Sequence, residues 1–428
     1  MNKFLVFAIL LVGFSEIIFS QHIFMKQSNA CGIYKKGEKV RVVIWSNEKT
    51  GDSVLLKVYS DFSKKLTQKR LTFNGDSLVV FEKVMTHPES MIFEVTCKSE
   101  TSSIGLVVNP EKFKIGLKPP KDFKGYWYDQ KKMLKALPMK VKKDTIGDTI
   151  NGYACFDTEI NCVGPKSARG YFAKPQFAKP KSLPIVIYFH AAGVAGNWCR
   201  SEPGNALRYA KMGKGALCFD LNAHGMLNGQ PEAYYQNLEN GDLKNYTKFG
   251  LESRDDYYFR AMYLRLLRTI DFMTAQPEWD GKRILVIGES QGGGQALAAA
   301  GLDKRVTAVI ATVPAICNLS AGFVGQKESW PYPVSSKIAI EKLKLTVPYF
   351  DAANLIKDSK ATLVVEIGLI DKTCPSANVY SAINQSKGKK IILAVPYRGH
   401  HMTQPVFKTL WDNTVKKTKD DFLSVYLK

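Results

Sequence analysis

The stretch Gly288-Glu289-Ser290-Gln291-Gly292 constrains this chain more than any other. It follows the apolar run Arg283–Ile287 and precedes Gly293-Gly294-Gln295 and a series of alanines. The order is buried strand, sharp glycine-flanked turn, helix. A serine in such a turn sits on strained backbone, so its neighbours must be small or the chain collides with itself. The helix behind it directs its unpaired N–H groups toward the serine, where negative charge builds up during acyl transfer. The pentapeptide alone is a weak string, and its alternative reading is a chance glycine turn. Its place between a buried strand and a small-residue helix makes Ser290 a candidate nucleophile.

A long α/β pattern surrounds that turn. Ile185–Phe189, Ala216–Phe219, Val306–Thr312, Ala361–Ile367 and Lys390–Val395 are near-continuous apolar runs. Helical stretches separate them, Asn205–Met212 and Tyr257–Thr274 among them. Apolar strands alternating with helices imply a mostly parallel sheet covered on both faces. Active residues of such a sheet gather at the carboxyl ends of its strands. Residues 21–115 read differently. Val40–Trp45, Val54–Tyr59, Leu66–Phe73, Leu78–Phe81, Ile92–Thr96 and Ile104–Val108 are short β-rich runs, with Asn74-Gly75 as a hairpin signal. About six such strands predict a small antiparallel sandwich. It is either a carbohydrate-binding module or a packing domain, and the absence of a visible aromatic platform favours packing. Pro119-Pro120 closes this region, and Asp122-Phe123 opens a helix stopped by Pro138. The organisation is therefore a leader over 1–20, a β domain over 21–115 and an α/β domain over 116–428.

The leader reading rests on Lys3, the apolar stretch Phe4–Phe14 and a small residue, Ser20, before Gln21. The run is too short for a membrane span and fits a cleaved secretory signal, hence a secreted or periplasmic protein. No later segment is long and apolar enough to span a bilayer. Eight cysteines in an exported chain raise the prospect of disulfides, with Cys155–Cys162 and Cys31–Cys97 as conceivable pairs. No cysteine–histidine cluster has structural zinc spacing. The net charge of +21 could attract a polyanion. The lysines, however, come as scattered pairs without interleaved aromatics, which argues for a solvated surface and against nucleic-acid binding.

A serine hydroxyl needs a base, and the base needs an orienting carboxylate. In chains of this pattern the acid and then the histidine follow the serine. Of six histidines only His400 and His401 come after Ser290, just beyond the last strand run. Asp371 follows Ala361–Ile367 in the same way. Asp303 and Asp351 are weaker, because neither directly follows a sheet strand. Between His400 and His401 the residues alone do not choose. The oxyanion requires two donors. The N–H of Gln291 is one, and the loop His190–Gly196 supplies the other. His190 precedes the serine, the wrong order for a base, and reads as a loop brace.

From about Pro119 onward the chain resembles the acetyl xylan esterase and cephalosporin-C deacetylase family of α/β-hydrolases. The similarity lies in Asp122–Trp127, Tyr257–Arg260, Ser290–Gly293, Gly368–Pro375 and Gly399-His400. It implies an α/β-hydrolase fold behind the β domain. It also implies Ser290 as nucleophile, Asp371 as acid, His400 as base, and Gln291 and Ala192 as oxyanion donors. The expected activity is removal of acetyl groups from xylan or oligosaccharide, without metal or organic cofactor. A closed homo-oligomer would match the family, unless the β domain blocks that surface. Three departures stand out. His190-Ala191-Ala192 replaces His-Gly-Tyr, Asp220–Gly225 lacks the family's arginine and glutamine, and His401 replaces a glutamate. Those loops must therefore be braced differently here, with His224 a candidate for part of that work. A peptidase on the same fold and a non-enzymatic glycan-binding surface protein are the rival readings.

Overall fold

The computed structural model describes residues 23–46, 53–62, 66–73, 75–98, 100–147, 151–402 and 405–428. The leader expectation and Asn74 of the hairpin signal lie outside them. The N-terminal region contains β1 (Ile23–Gln27), β2 (Ile33–Tyr34), β3 (Lys39–Ser46), β4 (Ser53–Ser60), β5 (Leu66–Thr72), β6 (Ser77–Val84), β7 (Glu89–Cys97) and β8 (Glu100–Val108). They form a three-stranded sheet, β1-β3-β6, and a five-stranded sheet, β2-β8-β7-β4-β5. Alternating burial along β3 (Val40, Val42 and Ile44 inward) closes these sheets on a core with Val54, Phe93, Val95 and Leu106. Two strands exceed the expectation, β1 and the two-residue β2, which lie ahead of the runs singled out above. β2 also pairs with β8 in parallel, against the antiparallel expectation.

Beyond helix α1 (Phe123–Ala136) come β9 (Val141–Thr145), β10 (Tyr153–Ile160), β11 (Ala168–Pro175), β12 (Leu183–Phe189), β13 (Leu217–Asn222), β14 (Trp279–Glu289), β15 (Ala308–Thr312), β16 (Thr362–Gly368) and β17 (Lys390–Val395). They form one nine-stranded sheet in the order β17-β16-β15-β14-β12-β13-β11-β10-β9. The pairings from β13 across to β17 are parallel, and β9, β10 and β11 add an antiparallel edge. Helices α2 (Pro203–Ala210), α3 (Glu232–Asn240), α4 (Tyr258–Thr274) and α5 (Gln291–Leu302) lie between strands. The mostly parallel α/β sheet behind an all-β region is thus borne out. All but one residue of α5 and most of α4 are buried, which fits their apolar and small-residue composition. The cysteine pairings are not realised. None of the eight cysteines forms a disulfide, and seven are buried, where a small apolar side chain packs well.

The N-terminal sheets abut the carboxyl end of β16. Gly105 on β8 donates its N–H to the carbonyl of Pro396 at 2.8 Å. A Cβ there would lie 2.1 Å from the carbonyl oxygen of Leu369, so only glycine permits this backbone contact. Buried Asp61 accepts from Ser90 Oγ at 2.7 Å, and Ser90 Oγ lies 2.9 Å from Ser376 Oγ. Lys372 pairs with Glu94 at 2.5 Å and covers the Tyr59 ring at 4.3 Å. No helix among the described residues is long and apolar enough to cross a membrane.

Candidate active site

Ser290 occupies the turn between β14 and α5 with φ 52° and ψ −118°. A non-glycine residue rarely adopts that conformation, and here packing enforces it. A Cβ on Gly288 would meet the Gly292 carbonyl carbon at 2.2 Å, and one on Gly292 would meet the Phe189 carbonyl oxygen at 2.1 Å. The flanking glycines are therefore required by contact as well as by the turn. Ser290 accepts at its carbonyl from Gly294 and Ala315 and donates its N–H to Thr312, which pins the turn on both sides.

Asp371 lies just past β16 and His400 just past β17. His400 Nε2 is 2.9 Å from Ser290 Oγ, and its Nδ1 is 2.8 Å from Asp371 Oδ2. The other carboxylate oxygen accepts the N–H groups of Thr373 and Cys374, each at 2.8 Å. With Asp371 acting as acceptor, Nδ1 carries the ring proton and Nε2 faces the serine as acceptor. His401 is exposed with its ring nearly perpendicular to that of His400. The two weaker acid candidates are engaged elsewhere. Asp303 pairs with Arg305, and buried Asp351 caps the N–H of Ala353 at 3.0 Å.

The histidine loop is held by a buried ion pair that sequence reasoning missed. Arg398 reaches Glu366 on β16 at 2.7 Å, and Lys419 pairs with the other Glu366 oxygen. Trp411 donates its indole N–H to the same carboxylate at 2.7 Å. Arg398 also accepts at its carbonyl from Ile370 at 3.2 Å, tying the histidine loop to the acid loop. The available signal was one glutamate inside the apolar run Thr362–Ile367, since such a charge must be paired.

On the other flank, Ala192 and Gln291 stand on adjoining segments, brought together by the Gly292–Phe189 contact. The N–H of Gln291, at the first turn of α5, has no intrahelical acceptor. His190 faces the Asp220 carboxylate through Nε2 and the Trp198 carbonyl through Nδ1, at 3.2 Å. Burial opposes its charge, but Asp220 and the carbonyl outweigh that and raise its pKa, and its two contacts fit the loop brace its order implied. His224 is the opposite case. Its Nε2 donates to the Gly193 carbonyl at 2.8 Å, and its Nδ1 accepts from Tyr258 Oη at 2.6 Å. Burial pushes its pKa down to about 4, so the ring is neutral. Tyr246, packed on His224, donates to Gln291 Oε1 at 2.5 Å. His224, Tyr258 and Tyr246 thus brace the loop where the family's arginine and glutamine are missing. The two tyrosines escaped sequence reasoning because nothing local marks their convergence.

Asp371, Cys374 and His400 each bring one ligand-type atom within 4.8 Å of the others. Two of those atoms are already hydrogen-bonded to each other, and burial raises the Cys374 thiol well above its usual range, which makes it a poor ligand. The arrangement suits acyl transfer better than metal chemistry.

Residues 111–416 match the family model for acetyl xylan esterase. The chain belongs to the acetyl xylan esterase family. This esterase is 26% identical over 399 residues to acetyl esterase Axe7A of Xylanibacter ruminicola, covering 90% of this chain and 88% of that protein. An alignment of that extent necessarily reaches into the N-terminal strands. The acetyl xylan esterase from Paenibacillus sp. R4 superposes with a TM-score of 0.62 at 25% identity, covering 74% of this chain and 98% of that one. Acetyl xylan esterase 1 from Thermoanaerobacterium sp. JW/SL YS485 has the same fold, with a TM-score of 0.61 at 20% identity over 74% of this chain and 98% of its own. The esterase is accordingly a carboxylic ester hydrolase.

Proposed function

We propose that this esterase is an exported deacetylase of acetylated xylan or oligosaccharide, working through an acetyl-serine intermediate. The observation that carries the reading is His400 standing 2.9 Å from Ser290 Oγ while held by Asp371 at 2.8 Å. Ser290 Oγ attacks the acetyl carbonyl carbon and His400 Nε2 takes its proton. The carbonyl electron pair moves to oxygen, where the N–H groups of Gln291 and Ala192 receive it. Collapse expels the sugar oxygen, which takes the proton from His400. Water then attacks the acetyl-serine, giving its proton to His400. Acetate leaves and Ser290 regains its hydrogen. Asp371 keeps the imidazole in the required tautomer throughout and stabilises its charged form.

Acetate release from acetylated xylan, compared with hydrolysis of an aminoacyl-proline amide, tests the reading against a peptidase. Ser290→Ala is expected to lower kcat by at least about 10⁴-fold with the fold intact, as is His400→Ala, while His401→Ala stays within about twofold. Undiminished turnover in Ser290→Ala would assign the chemistry to another nucleophile. Amino-terminal sequencing of protein recovered outside the cell tests export, with a start near Gln21 expected.

A further inference from the structure

Trp198 is the exposed aromatic bound to the loop that carries Ala192. Its side chain is 66% exposed. A lone exposed apolar residue is ordinary on a protein surface. Trp198 differs because it is fixed at three points. Its carbonyl accepts from His190 at 3.2 Å, and its indole N–H donates to the carbonyl of Ala192 at 3.0 Å. Its ring covers Gly196 so closely that a Cβ there would lie 2.4 Å from the ring. One face therefore rests on backbone, and the exposure belongs to the other. Ala192 lies two residues after His190, whose carbonyl packs against Gly292 beside Ser290, so the indole is anchored to the loop next to the candidate nucleophile.

We infer that Trp198 forms a sugar-binding subsite, on which a pyranose ring of the acetylated chain stacks while a neighbouring acetyl group enters the Ser290 site. This rests on the proposed deacetylase function and names how its substrate is held. The electron-rich face of an indole attracts the weakly positive C–H array of a pyranose, and its flat area excludes water from that array. Exposed Asn197 beside it turns its carbonyl oxygen to Arg200. That leaves the amide hydrogens to donate to a ring hydroxyl. The anchoring also preorganises the platform, since little rotamer freedom remains to be lost on binding.

Trp198→Ala and Trp198→Phe in the full chain test this against an acetylated xylo-oligosaccharide and p-nitrophenyl acetate, which has no sugar. The ratio of kcat/KM for the oligosaccharide to that for p-nitrophenyl acetate is expected to fall about tenfold in Trp198→Ala, the scale of one lost aromatic contact. The loss should appear in KM, and Trp198→Phe, which keeps a face but not the indole N–H, should recover to within about threefold of wild type. Equal losses on both esters in both variants would overturn the subsite and reduce the indole to a prop for Ala192. A wild type that cleaves p-nitrophenyl acetate but no acetylated glycan fails the proposed function itself. A wild type that deacetylates the glycan while Trp198→Ala keeps the wild-type ratio fails the subsite alone.

Discussion

The loops on the two flanks of Ser290 are held by different means. On the acid side, Asp371 and His400 are tied down by charge: Arg398 and Lys419 against Glu366 inside the sheet, and Lys372 against Glu94 across to the N-terminal strands. On the other side, Tyr258 and a neutral His224 hold Gly193, backed by the fixed, buried Arg265 guanidinium on the Ala223 carbonyl at 2.8 Å, with the His190–Asp220 pair beside them. The contrast fits the proposed chemistry: an imidazole that gains charge in that mechanism tolerates ion pairs fixed nearby, whereas the donors proposed for the oxyanion need a support without a mobile charge competing for the developing one.

Breaking the buried pair should produce the largest stability change. Arg398→Met leaves Glu366 buried with Lys419 as its one remaining cation beside the Trp411 N–H, and urea unfolding should register a loss of about 3–5 kcal/mol. A change below about 1 kcal/mol would mean Lys419 and Trp411 suffice for the carboxylate. Acid comes next. A pKa of about 4 for His224 lies below the unfolded value of about 6.5, so the unfolded chain binds the extra proton between those values. Its contribution, on the order of 3 kcal/mol, is present above pH 6.5 and lost as pH falls toward 4. His190, whose pKa is raised, has the opposite sign and weakens the fold as pH climbs above about 6.5. Unfolding across that range should be less steep on its acid limb in His224→Gln.

Tyr258→Phe sharpens the comparison further. It leaves His224 Nδ1 buried without a donor, for a loss of about 1–3 kcal/mol. Loosening of Gly193 should lower kcat about tenfold with KM little changed, a fraction of what a lost oxyanion donor costs. The smallest effect belongs to Lys372→Met. Its ion pair is partly exposed, so less than about 1 kcal/mol is expected, shrinking further in high salt.

Much of this was legible before any coordinates. Apolar runs separated by helices place six parallel strands, because strands buried on both faces carry few polar residues. Ser290, Asp371 and His400 could be named because each follows such a run directly, and the sheet gathers its carboxyl ends along one rim. The choice of His400 over His401 rested on resemblance, since adjacent residues in a loop carry no periodic signal about which faces inward. The braces were harder to see. Tyr246, Tyr258 and Arg398 act through contacts between segments far apart in sequence, and a tyrosine before a helix looks the same whether it packs or donates. The short β1 and β2 strands escaped because two to five residues carry too little alternation to register.

Gly105 places the N-terminal sheet directly against the strand end that carries Asp371. The two units meet main chain to main chain, two residues from that aspartate. A methyl group added there would work as a wedge against the Leu369 carbonyl, pressing on the loop that leads to Asp371. The all-β unit thereby forms part of the support behind the proposed acid.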